Sequence, residues 1–189
     1  MNLMITGAMG HIGTYIIKNH KKFGIFKKII LVDNFSNNKH NFLYNFNSKK
    51  NFIFFYRDIS KKNSLKNLPS VEYCLHLASI TNAEESVNIK DKLYKNNLGC
   101  FNNVVNHCIQ KKIKLIHLSS TSVYGISSEL VDENSKLKPQ SPYAEVKLKE
   151  EKILKKNKKK IKLCNFKIWY YSWRFSKYEI SHCNKQILF

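Results

Sequence analysis

At 189 residues, 43% of them hydrophobic, the chain is one domain's worth of sequence with enough apolar material for a core. Its formal net charge of +20 raises nucleic acid or an anionic membrane surface as partners. Neither is expected: the lysines are spread along the chain without an RNA-binding aromatic motif or helix-turn-helix signature, and no apolar stretch is long enough to span a bilayer.

The chain opens on a short apolar run, Asn2-Leu-Met-Ile-Thr6, followed at once by Gly7-Ala-Met-Gly10-His-Ile-Gly13. Ile12, Tyr15, Ile16 and Ile17 then begin a helical pattern. Strand, glycine turn and helix in this order are the start of a dinucleotide-binding βαβ unit. Gly7 suits a tight turn, Gly10 a close approach of backbone to pyrophosphate, and Gly13 close packing of the helix on the strand. A helix N-terminus offers the phosphates free N–H groups and a positive dipole end. The next apolar run, Lys28-Ile-Ile-Leu-Val32, ends in Asp33, where the motif places an acid for the adenosine ribose hydroxyls. An acid there repels a 2′-phosphate and favours NAD over NADP.

Asn34-Phe-Ser-Asn-Asn-Lys39 reads as a polar turn beside the adenosine end, and Asn51–Tyr56 as a third strand closed by Arg57-Asp58-Ile59. Asp58 is placed to bond an adenine amino group. Glu72–Leu77 is a fourth strand, continuous rather than alternating as in a parallel sheet covered on both faces, and it runs into the small residues Ala78-Ser79. A helix is expected from about Glu84 to Cys108, with Val87, Leu93, Leu98, Phe101, Val104, Val105 and Cys108 as its apolar stripe. Lys114–Leu118 is a fifth strand, followed by Ser119-Ser-Thr-Ser-Val-Tyr-Gly125 and a loop holding Asp132 and Glu133. Ser141-Pro142 is a helix start, since Ser caps and Pro is tolerated at the first helical position. On that helix Tyr143 and Lys147 lie one turn apart on one face. Alternating strands and helices predict an α/β fold, a Rossmann-type doubly wound parallel sheet.

The basic run Lys155–Lys162 reads as a solvated helix end. The cysteines at 74, 100, 108, 164 and 183 are odd in number without a C-x-x-C pair, which points to reduced thiols and a cytoplasmic protein. The histidines do not cluster at ligand spacing, so no metal is expected. Met1 leads straight into a strand, so no signal peptide is expected either.

A strand-end Ser with Tyr-x-x-x-Lys on the following helix makes a proton-transfer set. A phenol with a pKa near 10 is a poor base at neutral pH. The Lys147 ammonium, together with a positively charged nicotinamide, would favour the phenolate. Tyr143 could then take the proton of a sugar hydroxyl while its carbinol hydride leaves for the nicotinamide, and Ser120 would hold the same oxygen.

Taken together, Thr6-Gly-x-x-Gly-x-x-Gly13, Val32-Asp-Asn34, Asp58-Ile59, His76-Leu-Ala-Ser79, Asn96-Asn-Leu-Gly99, Ser119–Gly125 and Ser141-Pro-Tyr-Ala-Glu-Val-Lys147 resemble one family. It is the NAD-dependent epimerase/dehydratase family, extended short-chain dehydrogenase/reductases that act on nucleotide sugars. The resemblance runs from residue 1 to about 163. It implies NAD as cofactor, a nucleotide-sugar substrate, and dimerisation through the helices spanning about 84–108 and 141–157. It implies Ser120, Tyr143 and Lys147 as the catalytic residues. Cofactor contacts are implied at Gly7, Gly10, His11, Ile12, Gly13, Asp33, Asn34, Asp58, Ile59, Leu77, Ala78, Asn96, Tyr143 and Lys147. The dehydratase branch carries an Asp-Glu pair directly after its catalytic hydroxyl. Here Thr121-Ser122 stand in those places, which favours epimerisation or simple dehydrogenase/reductase chemistry over elimination of water.

After about residue 163 the resemblance fades. Cys164–Trp173 brings both tryptophans of the chain together. In the neighbouring reading frame the codon pairs Trp169-Tyr170 and Trp173-Arg174 both yield glycine whatever the codon choice. The sequence therefore divides into an NAD-binding domain over 1–163 and a tail over 164–189 that reads as translated out of frame. A second domain gripping the sugar is not expected in the residues that remain, and turnover is expected to be impaired. The competing expectation is a non-catalytic NAD-binding module.

Overall fold

The computed structural model describes residues 1–23, 25–36, 51–81, 87–126, 132 and 134–168, with the backbone course alone at 22–23 and 164–168. Glu84, Glu133, the segment 37–50 and both tryptophans lie outside the described residues.

Six parallel strands form one sheet: β1 (Asn2–Thr6), β2 (Lys28–Asp33), β3 (Phe52–Tyr56), β4 (Tyr73–His76), β5 (Lys114–Ser120) and β6 (Leu163–Ile168). Their spatial order is β3-β2-β1-β4-β5-β6, the doubly wound arrangement the alternating elements predict. The central strand β1 pairs on both sides, with Ile5 opposite Leu31 of β2 and Leu75 of β4. Because side chains alternate across a strand, Met4 enters the core on one side of the sheet, while Leu3 and Ile5 enter the core on the other. Both faces need covering, and this is why the central strands are mainly apolar.

Helix α1 (His11–Lys18) covers one face by burying Ile16 and Ile17. Tyr15, assigned to the apolar pattern in the sequence, is 40% exposed and does not join that core. Helices α2 (Lys90–Lys111) and α3 (Pro142–Lys156) cover the other face. Leu93, Phe101, Val104, Val105 and Cys108 of the expected α2 stripe are buried, whereas Val87 precedes the helix and is exposed. Phe101 is wholly buried between the ring of His76 on β4 and that of His117 on β5, with centroids 5.7 and 4.9 Å away. Phe101→Ala is expected to cost about 3–5 kcal/mol in denaturant unfolding, through lost transfer energy and the cavity left behind.

The ends of α2 differ from the expected ones. The helix continues to Lys111 and closes on Lys112 at φ 56, with Ile113 N–H donating to the Cys108 carbonyl at 2.9 Å. This is a left-handed C-terminal cap made without glycine or asparagine, so the sequence carries no stop signal there. The expected cap of α3 is present: Ser141 Oγ accepts from Ala144 N–H at 3.2 Å, and Pro142 takes the first helical position.

Strand β5 runs two residues beyond its expected end. Its partner β6 carries the ladder on, pairing Ser119 with Lys167 and Ser120 with Ile168. The boundary drawn after residue 163 thus falls within β6, whose backbone continues in register to Ile168. Cys74, Cys100 and Cys108 are buried free thiols. No helix among the described residues is long and apolar enough to cross a membrane.

Candidate active site

All strands being parallel, their carboxyl ends meet along one edge of the sheet, and the candidate residues gather there. The glycine turn leaves β1 with Gly7 at φ +68, a conformation that disfavours any side chain. A Cβ on Gly7 would also stand 2.5 Å from the backbone nitrogen of Ala78, at the end of β4. Gly7 therefore serves a close approach of two strand ends as well as a turn. The reason for Gly13 also differs from the expected packing on the strand. Its Cβ would meet the Ala8 carbonyl oxygen at 2.3 Å, inside the turn itself. Gly10 caps α1 without a side-chain hydrogen bond, and no acidic residue occupies the first helical turn. A helix start of this kind, with its positive dipole end, is the type of site that accepts a phosphate.

Asp33 ends β2 and ties the turn to it. One carboxylate oxygen accepts from Met9 N–H at 2.9 Å and the other from Phe35 N–H at 2.7 Å. Asn34 accepts from Ser36 N–H at 3.1 Å. Asp58 lies just past β3, where Oδ1 accepts from Ser60 N–H at 3.0 Å and Ser60 Oγ–H at 2.6 Å. The Ile59 side chain lies in the core, and its carbonyl accepts from Asn103 Nδ2 at 2.9 Å. Leu77 N–H donates to the Thr6 carbonyl at 3.0 Å, which fixes the β4 end beside β1.

Sequence reading singled out Asn96 but missed its neighbour. Asn96 Nδ2 donates to Asn97 Oδ1 at 3.0 Å. Fully buried Asn97 accepts from Ile80 N–H at 2.8 Å and donates to the Ile80 carbonyl at 3.0 Å, clamping the segment after β4 onto α2. The signal was available, because position 97 shares the helical face of Leu93, Phe101 and Val104.

Ser120 is the last residue of β5. Its Oγ accepts from Ser122 N–H at 3.2 Å and from Ser122 Oγ–H at 2.9 Å, capping a 3-10 turn over Thr121–Tyr124. Among the described residues its own proton meets no acceptor. Tyr143 begins α3, which packs against that turn and against β5. One turn later, Lys147 points into the protein, with its Nζ 5.8 Å from the Tyr143 ring centroid. The buried ammonium donates to Glu150 Oε2 at 2.9 Å and to the Leu118 carbonyl at 3.3 Å. His117 Nε2 lies 2.9 Å from the same Glu150 oxygen.

Electrostatics follow from this burial. Burial opposes the Lys147 ammonium, but Glu150 and then Tyr143 outweigh it, and the pKa is raised. Burial likewise opposes the Glu150 carboxylate, yet Lys147 and the His117 hydrogen bond hold it down at about 2. The lowering expected at Tyr143 draws on a charged nicotinamide as well as on Lys147, and the protein groups alone give another balance. Burial raises the phenol's pKa, Lys147 lowers it, and Glu150 raises it again, with a net rise in the absence of cofactor. Glu150 and His117 were not legible as part of the site, because they are 33 positions apart and meet only through the docking of α3 on β5.

Among the described residues no group of three His, Cys, Asp or Glu side chains could hold a metal ion. Two curated relatives are similar in sequence. An ADP-L-glycero-D-manno-heptose-6-epimerase of Brachyspira hyodysenteriae is 33% identical over 71% of this chain and 42% of its own length. The uncharacterized UDP-glucose epimerase YtcB of Bacillus subtilis is 30% identical over 81% of this chain and 50% of its own. The chain thus spans about half the length of the curated relatives it matches. Among solved structures, UDP-glucuronic acid 4-epimerase from Bacillus cereus, in complex with UDP-glucuronic acid and NAD, is 26% identical with a TM-score of 0.78. That match covers 87% of this chain and 55% of the other. The UDP-Glc/GlcNAc 4-epimerase of Campylobacter jejuni shares the fold, with a TM-score of 0.80 at 24% identity over 95% of this chain and 59% of that one. The model for the NAD dependent epimerase/dehydratase family matches residues 3–178, nearly the whole chain, and by that match the protein belongs to this family.

Proposed function

We propose that this domain holds NAD along the carboxyl edge of its sheet and serves the epimerisation of a nucleotide sugar. The glycine turn fits such a cofactor. Gly7 takes a conformation and a clearance that other residues lack, the start of α1 carries no capping side chain, and Asp33 stands at the end of β2. When bound, the nicotinamide supplies a hydride acceptor and donor for a sugar carbinol carbon. Tyr143 then takes the hydroxyl proton as the C–H bond is broken and returns it when the hydride comes back to the other face. Ser120, which accepts two hydrogen bonds from Ser122, has its own proton free to hold the same sugar oxygen. Lys147 keeps positive charge beside Tyr143, and the third of its N–H groups, without a partner among the described residues, would serve a cofactor hydroxyl. Asp33, Asn34 and Asp58 would face the adenosine half; His11, Ile12, Leu77, Ala78 and Asn96 would line the rest of the groove. The observation that carries this reading is the meeting of glycine turn, Ser120 and the Tyr143–Lys147 pair along one sheet edge.

The test is two-fold. The purified chain is titrated with NAD, and conversion of UDP-glucose is followed with Tyr143→Phe as control. Conversion that falls by about 10²-fold or more in the variant supports Tyr143 as proton acceptor and donor. A second reading, an NAD-binding module without turnover, is favoured by the Glu150 carboxylate beside Lys147. It predicts NAD binding that Tyr143→Phe leaves unchanged and no conversion by either protein. Absence of NAD binding would overturn both.

A further inference from the structure

Of the seven polar residues buried among the described residues, five draw together beneath the candidate site: Thr6, His76, His117, Lys147 and Glu150. Burying a charge is costly unless it is paired, so each of these needs an account. His76 is the simplest, because Nδ1 lies 2.8 Å from Thr6 Oγ1 and burial pushes its pKa down to about 3, keeping the ring neutral. The other three form one unit. A single oxygen, Glu150 Oε2, stands 2.9 Å from both Lys147 Nζ and His117 Nε2. Glu150 is 1% exposed and His117 0%, so water does not compete for these bonds.

Two consequences follow for Lys147. Two of its three N–H groups are committed, to Glu150 and to the Leu118 carbonyl, so its position is set from the protein side. Its charge is also balanced by a carboxylate at contact distance. An ammonium favours a neighbouring phenolate only to the extent that it is uncompensated. We propose that Glu150, itself held by His117, is a positioning residue that anchors the Lys147 ammonium against β5 and offsets part of its charge, so that Lys147 alone does not ionise the buried Tyr143 phenol. The proposal rests on Tyr143 being the proton acceptor. It deepens that reading, because the positive charge that ionises the phenol must then come from an oxidised cofactor. The residue is a base when the ring is charged and an acid when it is not.

The charged and titratable groups facing the cluster come from three directions. His117 reaches it from β5, His76 from β4, and Cys100 from α2, while Lys147 and Tyr143 share α3 with Glu150. Glu151, also on α3, acts on Lys147 more weakly and bonds Ser119 instead.

The experiment follows the phenol directly, in protein carrying ¹³C at the tyrosine Cζ atoms. The Tyr143 resonance is assigned by its loss in Tyr143→Phe and titrated without cofactor. In the wild type its midpoint is expected above the ordinary value of about 10. Glu150→Gln is expected to bring it down by about one unit or more, because the ammonium is no longer balanced. Glu150→Asp should restore part of the wild-type value. A wild-type midpoint below about 10 overturns the proposal, and that result needs no variant to fold. An unchanged midpoint in a folded Glu150→Gln protein overturns it as well. Saturating NAD is expected to lower the wild-type midpoint. If NAD binds and fails to do so while the cofactor-free results hold, the positioning role stands and the assignment of Tyr143 as proton acceptor falls.

Discussion

Replacing Glu150 with alanine is expected to cost about 3–5 kcal/mol of stability, the range for breaking a buried ion pair by removing one partner. The loss comes less from the attraction removed than from Lys147 left charged in a dry interior. Lys147→Met in the same protein should therefore recover most of it, since an apolar pair in place of a buried ion pair is often neutral. Urea unfolding of the two single variants and the double one measures this, and simple additivity would show that the two side chains do not act as a pair. The same cluster fixes the acid limit of the wild-type fold. His76, buried neutral with its pKa near 3, leaves protons to the unfolded chain below its ordinary value of 6.5. Glu150, held near 2 against an ordinary 4.5, does the same at lower pH. In both ranges the unfolded state binds more protons, so stability falls as pH falls. Loss is expected to begin below about pH 6.5 and to steepen below about 4.5. Lys147 acts at the other end: its raised pKa lends stability that is lost only as pH climbs past the ordinary lysine range. A folded Glu150→Gln protein should keep the first acid stage and lose the second, as read by thermal unfolding from pH 7 to 3.

Gly13→Ala should damage both the fold and NAD binding. Alanine gains about 1 kcal/mol of helix propensity over glycine, but the new methyl would stand 2.3 Å from the Ala8 carbonyl oxygen and 2.7 Å from its carbon. Those atoms are backbone and cannot rotate away, so α1 must shift off the turn. Overpacking of this kind costs about 1–3 kcal/mol, so the expected net effect is destabilising. Displacing the first turn of α1 by even a fraction of an ångström also spoils its aim at a phosphate, and NAD affinity should fall by about tenfold or more, some 1.4 kcal/mol. Gly10→Ala separates the two effects. Its nearest neighbour would be the Gly7 carbonyl oxygen at 3.1 Å, a tight contact rather than an overlap. This variant should stay close to wild type in melting temperature and still bind NAD poorly. Unimpaired binding in Gly10→Ala would place the pyrophosphate somewhere other than over this turn.

The sheet and the site differ in how far the linear sequence exposed them. Continuous apolar runs bounded by glycine or acid marked β1, β2 and β4, because a strand covered on both faces has no other composition available. Ser141-Pro142 marked the start of α3, because capping is settled by the residues at the helix end themselves. The C-terminus of α2 was hidden, since Lys112 adopts a left-handed conformation that its residue type does not advertise. The last residues of β5 were hidden for another reason: they are strand only because β6 lies alongside. Within the site, glycines, Ser120 and the Tyr143–Lys147 spacing were local patterns. His117 and Glu150 were not, because their meeting depends on the packing of α3 against β5; the helical face of Asn97 was legible, but its partner Ile80 was not.

The placement of β1 at the middle of the sheet has a consequence for how the chain is made. It leaves the ribosome before every other strand of the sheet, yet one of its two neighbours is β4, seventy positions later, where Thr6 meets His76. Closing so long a loop costs entropy before any ladder bond repays it, and parallel sheets fold slowly for this reason. Until Tyr73–His76 emerges, the apolar run Leu3–Ile5 has an open flank, the kind of unpaired edge that recruits other nascent chains. Recovery on refolding is therefore expected to fall with rising protein concentration and to improve with a chaperone that shields the amino-terminal strand.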